Sequence, residues 1–235
     1  MLERNGRRSE LPAGQTRTLF AYLAADRHQA HAREQLIDLL WPNDPPAGAD
    51  GNLSVLLSRI RKQVGDDVIE GRSELRFALP FDAWIDVEVA RESLDRATGC
   101  LAAGDPRSAL PASHVAAVIT GRTFLPGAHG PWVDTMRTRL EEMFARAHEC
   151  SAEAGIQIGA GELPTAERSA HALMDRAPYR ESGYRFAMQC LAERGNYAEA
   201  LTVYEHCRQL LHDDLGVDPG PELQSLHLEV LRAAG

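Results

Sequence analysis

Apolar residues recur at helical spacing in three segments of the first 80 residues, namely QTRTLFAYLAA, AREQLIDLLW and NLSVLLSRIRKQVG. In the third segment, residues 52–65, the apolar positions follow i, i+3, i+4, i+7 and i+11, the spacing of one buried helix face. These positions are Leu53, Leu56, Leu57, Ile60 and Val64. The pattern predicts three short amphipathic helices, with Pro42 after the second and Gly65 closing the third.

Two hairpin signals flank the three helices. Asn5-Gly6, a dipeptide that favours a type I′ turn, lies between two short extended stretches. After the third helix, VIEGRSELRFAL predicts two short strands around a Gly-Arg-Ser turn. The order of hairpin, three helices and hairpin is that of a winged helix-turn-helix, although many small α+β domains share these elements.

From about Asp86 onward every segment has a helical pattern, and a repeat lies within this region. Gly161 and Ala166 recur 34 residues later as Gly195 and Ala200. A 34-residue period with glycine and alanine at these offsets is typical of tetratricopeptide repeats, in which the small alanine lets two helices approach closely. Unrelated helical hairpins are the alternative.

Charge divides the chain at the same place as the hydrophobic pattern. The formal net charge is −9, but residues 1–80 hold 11 Lys and Arg against 11 Asp and Glu, whereas residues 81–235 hold 14 arginines against 23 acids. A neutral region with clustered cations can bind a polyanion, and an acidic one should not. We therefore predict a mainly α protein, with an N-terminal winged helix-turn-helix (α+β) domain at residues 1–80 and an all-α, tetratricopeptide-like repeat domain at residues 82–235.

The composition narrows the protein class. With 44% hydrophobic and 25% charged residues the chain is globular and not disordered. No apolar run approaches the roughly 18 residues of a membrane span, and MLERNGRRSEL lacks the apolar region of a signal peptide. The four cysteines are widely spaced, as expected for buried, reduced thiols. We expect a cytoplasmic protein.

The third helical segment concentrates cations in an acidic protein. Arg59, Arg61 and Lys62 lie within four positions, and Lys62 is the only lysine. If Leu53 faces inward, the opposite face of the helix carries small and polar side chains at its N-terminal end and cationic side chains at its C-terminal end. Small side chains let a helix enter the major groove, where Val55 can pack on a thymine methyl and an arginine can bind guanine O6 and N7. A solvated charged face is the alternative.

Other predicted elements add cations to the same surface if the winged-helix order holds. The N-termini of the first two helices present free backbone N–H groups that bind phosphate, and the second hairpin occupies the position of a wing. The predicted DNA-contacting residues are Gln15, Thr16, Arg17, Arg33, Asn52, Ser54, Val55, Ser58, Arg59, Arg61, Lys62, Arg72 and Arg76.

These motifs resemble a known family. Residues 12–80, with AREQLIDLLW and the SRxRK pattern that ends NLSVLLSRIRKQVG, resemble the winged-helix DNA-binding domain of OmpR-type transcription factors. Residues 82–235 resemble the bacterial transcriptional activator domain, above all in LHDDLGVDPGPELQSLH. Together they are similar to the two-domain streptomycete antibiotic regulatory proteins (SARP). The family begins with about three strands before the first helix, so the N-terminal sheet here is expected to be shortened or truncated.

The resemblance implies a transcriptional activator that binds promoter direct repeats in double-stranded DNA and recruits RNA polymerase holoenzyme, in the cytoplasm at the nucleoid and with a homodimer as an option. By position, Val55, Arg59 and Arg61 match contacts of the recognition helix. Arg17 and Arg33 match phosphate clamps. Arg72 or Arg76 matches the minor-groove contact of the wing.

The sequence offers no enzyme signature. GxxxxGK[ST], GxGxxG and HExxH are absent, so we expect no catalysis, cofactor or metal. Two rival functions remain open: a tetratricopeptide adaptor whose winged helix binds protein, and a ligand sensor. Four aromatic residues of the repeat region could line a ligand pocket or pack in the core: Trp132, Tyr179, Tyr184 and Tyr197.

Overall fold

The computed structural model describes residues 2–4, 7–80 and 83–235. They form two compact units, one of Met1–Glu88 with Arg122–Leu140 and one of Val89–Gly121 with Glu141–Gly235. The predicted Asn5-Gly6 turn lies outside the described residues. Within those residues, no helix is long and apolar enough to cross a membrane.

The first unit contains the predicted helices and hairpins in the predicted order. Its elements are β1 (Leu2–Arg4), β2 (Arg7–Ser9), α1 (Gln15–Ala25), β3 (Ala30–Ala32), α2 (Arg33–Leu40), α3 (Ala49–Val64), β4 (Ile69–Glu70) and β5 (Glu74–Phe77). β1 and β2 pair antiparallel, and β4 and β5 form the predicted second hairpin around a turn at residues 71–73. The N-terminal winged helix-turn-helix is thereby confirmed.

Strand β3 is an element that the sequence pattern did not predict. It pairs antiparallel with β5, so the sheet has the order β3-β5-β4. Ala-His-Ala carries no β-branched residue and is too short for a period-2 signal. The strand forms because β5 offers a free edge directly before α2 begins, and it ties the start of α2 to the second hairpin, which we call the wing.

The core of the first unit consists of the predicted apolar stripes. Leu19 and Leu23 of α1, Leu36 of α2 and Leu53 and Ile60 of α3 are all fully buried. Burying each such side chain contributes about 1.5–3 kcal/mol. Packing of α3 on this core decides which of its faces is left for solvent.

From Asp86 to the C-terminus the chain is helical, as predicted. The helices are α4 (Asp86–Ala102), α5 (Pro106–Thr120), α6 (Pro131–Ile158), α7 (Leu163–Arg176), α8 (Glu181–Glu193), α9 (Tyr197–Leu215) and α10 (Pro221–Ala234). α7 and α9 begin 34 residues apart, and the matching Ala166 and Ala200 are both fully buried. The mainly α fold class, with helical repeats after the winged helix, is confirmed.

The cysteines behave as core residues. Cys150, Cys190 and Cys207 are buried and Cys100 is partly buried, all as free thiols. Burial raises the pKa of Cys190 to about 11 and that of Cys207 to about 12. A thiol that stays protonated at neutral pH is a poor nucleophile, as the sequence led us to expect.

Candidate nucleic-acid interface

Helix α3 presents a continuous exposed face opposite its buried stripe. It starts after Gly48, which adopts a left-handed conformation at φ 81°. Because the apolar stripe faces the core, the other positions point outward, and Val55 keeps 50% of its surface exposed. The predicted α3 residues that are exposed on this side are Asn52, Ser54, Val55, Ser58, Arg59 and Lys62.

Three cations around this face have side chains without a partner among the described residues. No acceptor there forms a hydrogen bond or ion pair with the side chain of Arg59, Lys62 or Arg72. All three are exposed, and Arg72 lies in the turn of the wing. A free cation next to a helix of small outward side chains can meet the phosphates of a duplex without first breaking an internal bond.

Two further arginines are engaged within the wing. The Nη2 of Arg61 donates a hydrogen bond to the backbone oxygen of Ile69 at 3.1 Å, which ties the end of α3 to β4. The Nη2 of Arg76 lies 3.2 Å from Oε2 of Glu70 in the cross-strand register. Since both side chains of the second pair are more than half exposed, that pair contributes little stability.

The side chain of Arg33 points to α3. Its Nε donates to Oδ1 of Asp50 at 2.5 Å, and its Nη2 donates to the backbone oxygen of Asp50 at 3.0 Å and to Oγ of Ser54 at 2.7 Å. Only 19% of the Arg33 side chain is exposed. Asp50 was not among the predicted site residues, although a carboxylate in the first turn of a helix is a regular feature.

The predicted phosphate site at the start of α1 is largely occupied by internal contacts. Arg17 donates from Nε and Nη2 to the backbone oxygen of Leu11 at 3.2 and 2.7 Å, and Gln15 Nε2 donates to the backbone oxygen of Leu40 at 3.3 Å. The side chain of Thr16 is only 2% exposed, so a phosphate there would meet the backbone amide on which the prediction rests. The amides of Gln15 and Thr16 remain candidates, since no acceptor in the described residues bonds them.

Three arginines from separate segments meet at one cleft. It has a volume of about 280 Å³, and its lining residues are Arg33, Ser54, Leu57, Arg61, Gly71, Arg72 and Leu75. Within the described part of the chain, this lining contains no carboxylate. Guanidinium groups around a small open cleft suit an oxyanion such as phosphate.

The unit that contains α3 also includes contacts from later in the sequence than residue 80. Arg27 forms a two-pronged ion pair with Glu88 at 3.0 and 2.7 Å. The ring of Trp132 packs edge-on against Tyr22, with ring centroids 5.3 Å apart, and against Phe124 at 5.8 Å. Local sequence patterns could not predict these contacts, because Glu88, Phe124 and Trp132 lie far along the chain from α1.

The four aromatic residues considered for a ligand pocket have different environments. Tyr184 is 1% exposed in the core of the second unit, and Tyr197 is partly buried against that core. Tyr179 is 51% exposed and donates from its hydroxyl to Asp214 at 3.0 Å. Trp132 belongs to the first unit. Packing therefore accounts for the buried ones.

Comparison with known proteins agrees with this architecture. The family model described as bacterial transcriptional activator domain matches residues 85–231. The one described as transcriptional regulatory protein, C terminal, matches residues 9–74. The regulatory protein AfsR of Streptomyces griseus is 32% identical over 219 residues, which cover 93% of this chain and 22% of AfsR.

Mycobacterial relatives extend the comparison to a solved structure. The transcriptional regulatory protein EmbR of Mycobacterium tuberculosis is 29% identical over 240 residues, covering 94% of this chain and 59% of EmbR. The structure of EmbR in complex with a low affinity phosphopeptide superposes with a TM-score of 0.83 at 25% identity, covering 98% of this chain and 62% of that one. This chain thus spans about a fifth of AfsR and three fifths of EmbR. With an OmpR-type winged helix followed by a bacterial transcriptional activator domain, the chain belongs to the streptomycete antibiotic regulatory protein family of transcriptional regulators.

Proposed function

We propose that this protein binds double-stranded DNA in a sequence-dependent way through α3 and the wing, at direct repeats near promoters. In this proposal α3 lies in the major groove, where Val55 and Arg59 meet base edges. Lys62 and Arg72 bind phosphates on either side, since an ammonium or a free guanidinium beside the groove suits the backbone. The protein acts at the nucleoid, in the cytoplasm.

The observation that carries the proposal is that the side chains of Arg59, Lys62 and Arg72, beside an exposed α3 face, have no partner in the described part of the chain. Exposed arginines in folded proteins often form ion pairs with nearby carboxylates. At the cleft between α2, α3 and the wing, Arg72 offers a second place for a phosphate, since Arg33 and Arg61 are engaged by internal hydrogen bonds. Free cations on one surface of residues 1–80, which are neutral overall, favour a polyanionic partner.

We further propose that the predicted helical repeat domain, residues 82–235, contacts RNA polymerase holoenzyme once the winged helix has bound. Its acidic excess disfavours DNA contact and leaves its surface for protein. The resulting function is transcriptional activation by recruitment, without catalysis by this chain. RNA polymerase should then bind the promoter more tightly when this protein is already bound there than when it is absent.

The test of DNA binding starts with selection of bound duplexes from a random pool by the purified chain. The selected duplex is then titrated by fluorescence anisotropy at several salt concentrations. If Arg59, Lys62 and Arg72 each neutralise one phosphate charge, the slope of log K against log salt is about −2.7, and affinity falls about 40-fold between 50 and 200 mM salt. Arg59→Ala should cost about 1–3 kcal/mol of specific binding.

A matched control is Arg96→Ala, which removes the same charge from an exposed position on α4. Its affinity and salt slope should equal those of the wild-type protein. A flat salt dependence, or selected duplexes without a shared sequence, would refute DNA recognition. It would favour the rival in which the winged helix binds protein.

A further inference from the structure

Arg33 is built into a closed hydrogen-bond network with the first turn of α3. Its Nε and Nη2 use three of the five guanidinium N–H groups on Asp50 and Ser54. Ser54 Oγ in turn donates to the backbone oxygen of Asp50 at 3.0 Å. We call these three residues the Arg33 latch.

The latch joins three elements of the first unit. The backbone N–H of Arg33 donates to the backbone oxygen of Ser73 in the turn of the wing at 3.2 Å. Arg33 is the first residue of α2, while Asp50 and Ser54 belong to α3. The side chain therefore fixes the start of α3 relative to both α2 and the wing.

Little else in the described residues holds that first turn. Gly48 provides no side-chain cap, and no atom lies within 4 Å of the place where a Cβ of Gly48 or Gly51 would be. The first fully buried position of α3 is Leu53. A helix end without packed side chains frays easily, yet the start of α3 carries Asn52 and Val55 of the proposed base-reading face.

We propose that Arg33 is a positioning residue, which holds the start of α3 in register for DNA and does not clamp a phosphate. This inference rests on the proposed function, because it assigns a role within the same interface. It replaces the role expected for Arg33 from sequence position. Asp50 becomes part of the interface machinery, since its carboxylate is the group through which Arg33 acts.

The two roles of Arg33 make opposite predictions for Asp50. If Arg33 clamps a phosphate, Asp50→Ala frees the guanidinium and removes a negative charge near DNA, so binding becomes tighter. If Arg33 positions α3, Asp50→Ala breaks the latch and binding becomes weaker. The salt slope also differs, because the loss of one phosphate contact lowers it by about 0.9, whereas the loss of a positioning contact leaves it unchanged.

The experiment uses the full chain and its selected duplex, with anisotropy titrations of Arg33→Ala, Asp50→Ala and the double variant over a salt series. We expect each single variant to bind about 5–10-fold more weakly with the wild-type slope, as for loss of a charge-assisted hydrogen bond. The double variant should bind no more weakly than the single variant that has the lower affinity, since each substitution breaks the same hydrogen-bond network. Asp50→Asn keeps an acceptor for Arg33 and should recover most of the affinity.

Arg72→Ala is the matched control, because it removes an arginine of the same cleft whose side chain has no partner among the residues that the structure describes. It should lower the slope by about 0.9. Circular dichroism and thermal unfolding of each variant report the folded state. If Arg33→Ala does not fold, the direction of the Asp50→Ala effect decides the question alone.

Three results would overturn the inference: a lower slope for Arg33→Ala, tighter binding by Asp50→Ala, or altered stability of both variants with unchanged affinity. In each of these cases the wild-type protein still binds its duplex, so the proposed function stands. A wild-type protein without sequence-dependent, salt-dependent binding refutes the proposed function, and the role of Arg33 in DNA positioning is refuted with it.

Discussion

Trp132 provides the sharpest test of how the DNA-binding unit is assembled. Its ring packs edge-on against Tyr22 of α1, with an interplanar angle of 75°, and against Phe124 at 67°. Each such aromatic pair contributes about 0.5–1.5 kcal/mol beyond the burial of area. We expect Trp132→Ala to lower the free energy of unfolding of the first unit by about 2 kcal/mol.

The measurement is urea unfolding followed by far-UV circular dichroism. For a unit of roughly 100 residues with an m value of about 1.5 kcal/mol/M, a loss of about 2 kcal/mol lowers the midpoint by about 1.3 M. Since the chain has two compact units, two transitions can appear, and the shift should affect the one that belongs to the first unit. Trp132→Phe retains an aromatic ring and should recover about half of the loss.

Trp84 supplies the control, because 66% of its surface is exposed. Trp84→Ala should change the free energy of unfolding by less than about 0.5 kcal/mol. If the midpoints of Trp132→Ala and Trp84→Ala agree within about 0.3 M, the aromatic contact does not stabilise the unit. The contact of residues 122–140 with α1 would then contribute nothing measurable to the free energy of unfolding of that unit.

Two further predictions concern the wing and a buried histidine. Gly71 has φ 93°, and a Cβ there would meet the backbone oxygen of Glu74 at 1.8 Å, so Gly71→Ala should destabilise the first unit by about 3 kcal/mol or more, through strain plus the clash. Gly48→Ala, in the left-handed region at φ 81° and ψ 26° and in open space, should cost only about 1 kcal/mol in the same urea assay. Equal effects would contradict this account of the wing turn. Burial, assisted by the charges of His114 and Arg176, lowers the pKa of His148 to about 4. The imidazole of His148 binds a proton more readily in the unfolded chain, so the free energy of unfolding should fall by up to about 3 kcal/mol as pH drops from about 6.5 to 4. His148→Leu should remove that part of the pH dependence of the urea midpoint. An unchanged pH dependence in this variant would refute the assignment to His148.

The apolar pattern was sufficient to predict the helices because local periodicity and the core coincide. The stripe of α3 that starts at Leu53 is buried where the i, i+3, i+4 spacing placed it. Strand β3 was missed because its pairing with β5 is a long-range event, and Ala30–Ala32 has no local preference for an extended conformation. Strand β3 therefore depends on its tertiary contact with β5 and could not be predicted from local sequence.

The candidate interface was predictable only in part, for a related reason. Exposure follows from periodicity, so the outward positions of α3 could be assigned from the sequence. Whether a cation is free depends on its neighbours in space. Arg33 and Arg72 were both predicted to contact DNA, yet the side chain of Arg33 bonds Asp50 and Ser54, while that of Arg72 has no partner among the described residues.

The use of arginine differs between the two units, and this explains why an acidic protein keeps a cationic patch. In the second unit several arginines are paired with carboxylates of the same unit, and these pairs are Arg176–Glu141, Arg180–Glu142, Arg180–Glu149, Arg194–Glu167 and Arg208–Glu205. There the arginines balance part of an acidic excess, and the hydrogen bond from the Arg180 guanidinium lowers the pKa of the Glu142 carboxyl. Residues 1–80, which contain α3, are neutral overall. Arg59 and Lys62 can therefore stay without a partner among the described residues and without a large net charge that would repel the folded chain from itself. Local freedom of the cations, and not the net charge of the protein, is therefore the property that suits α3 to a polyanion.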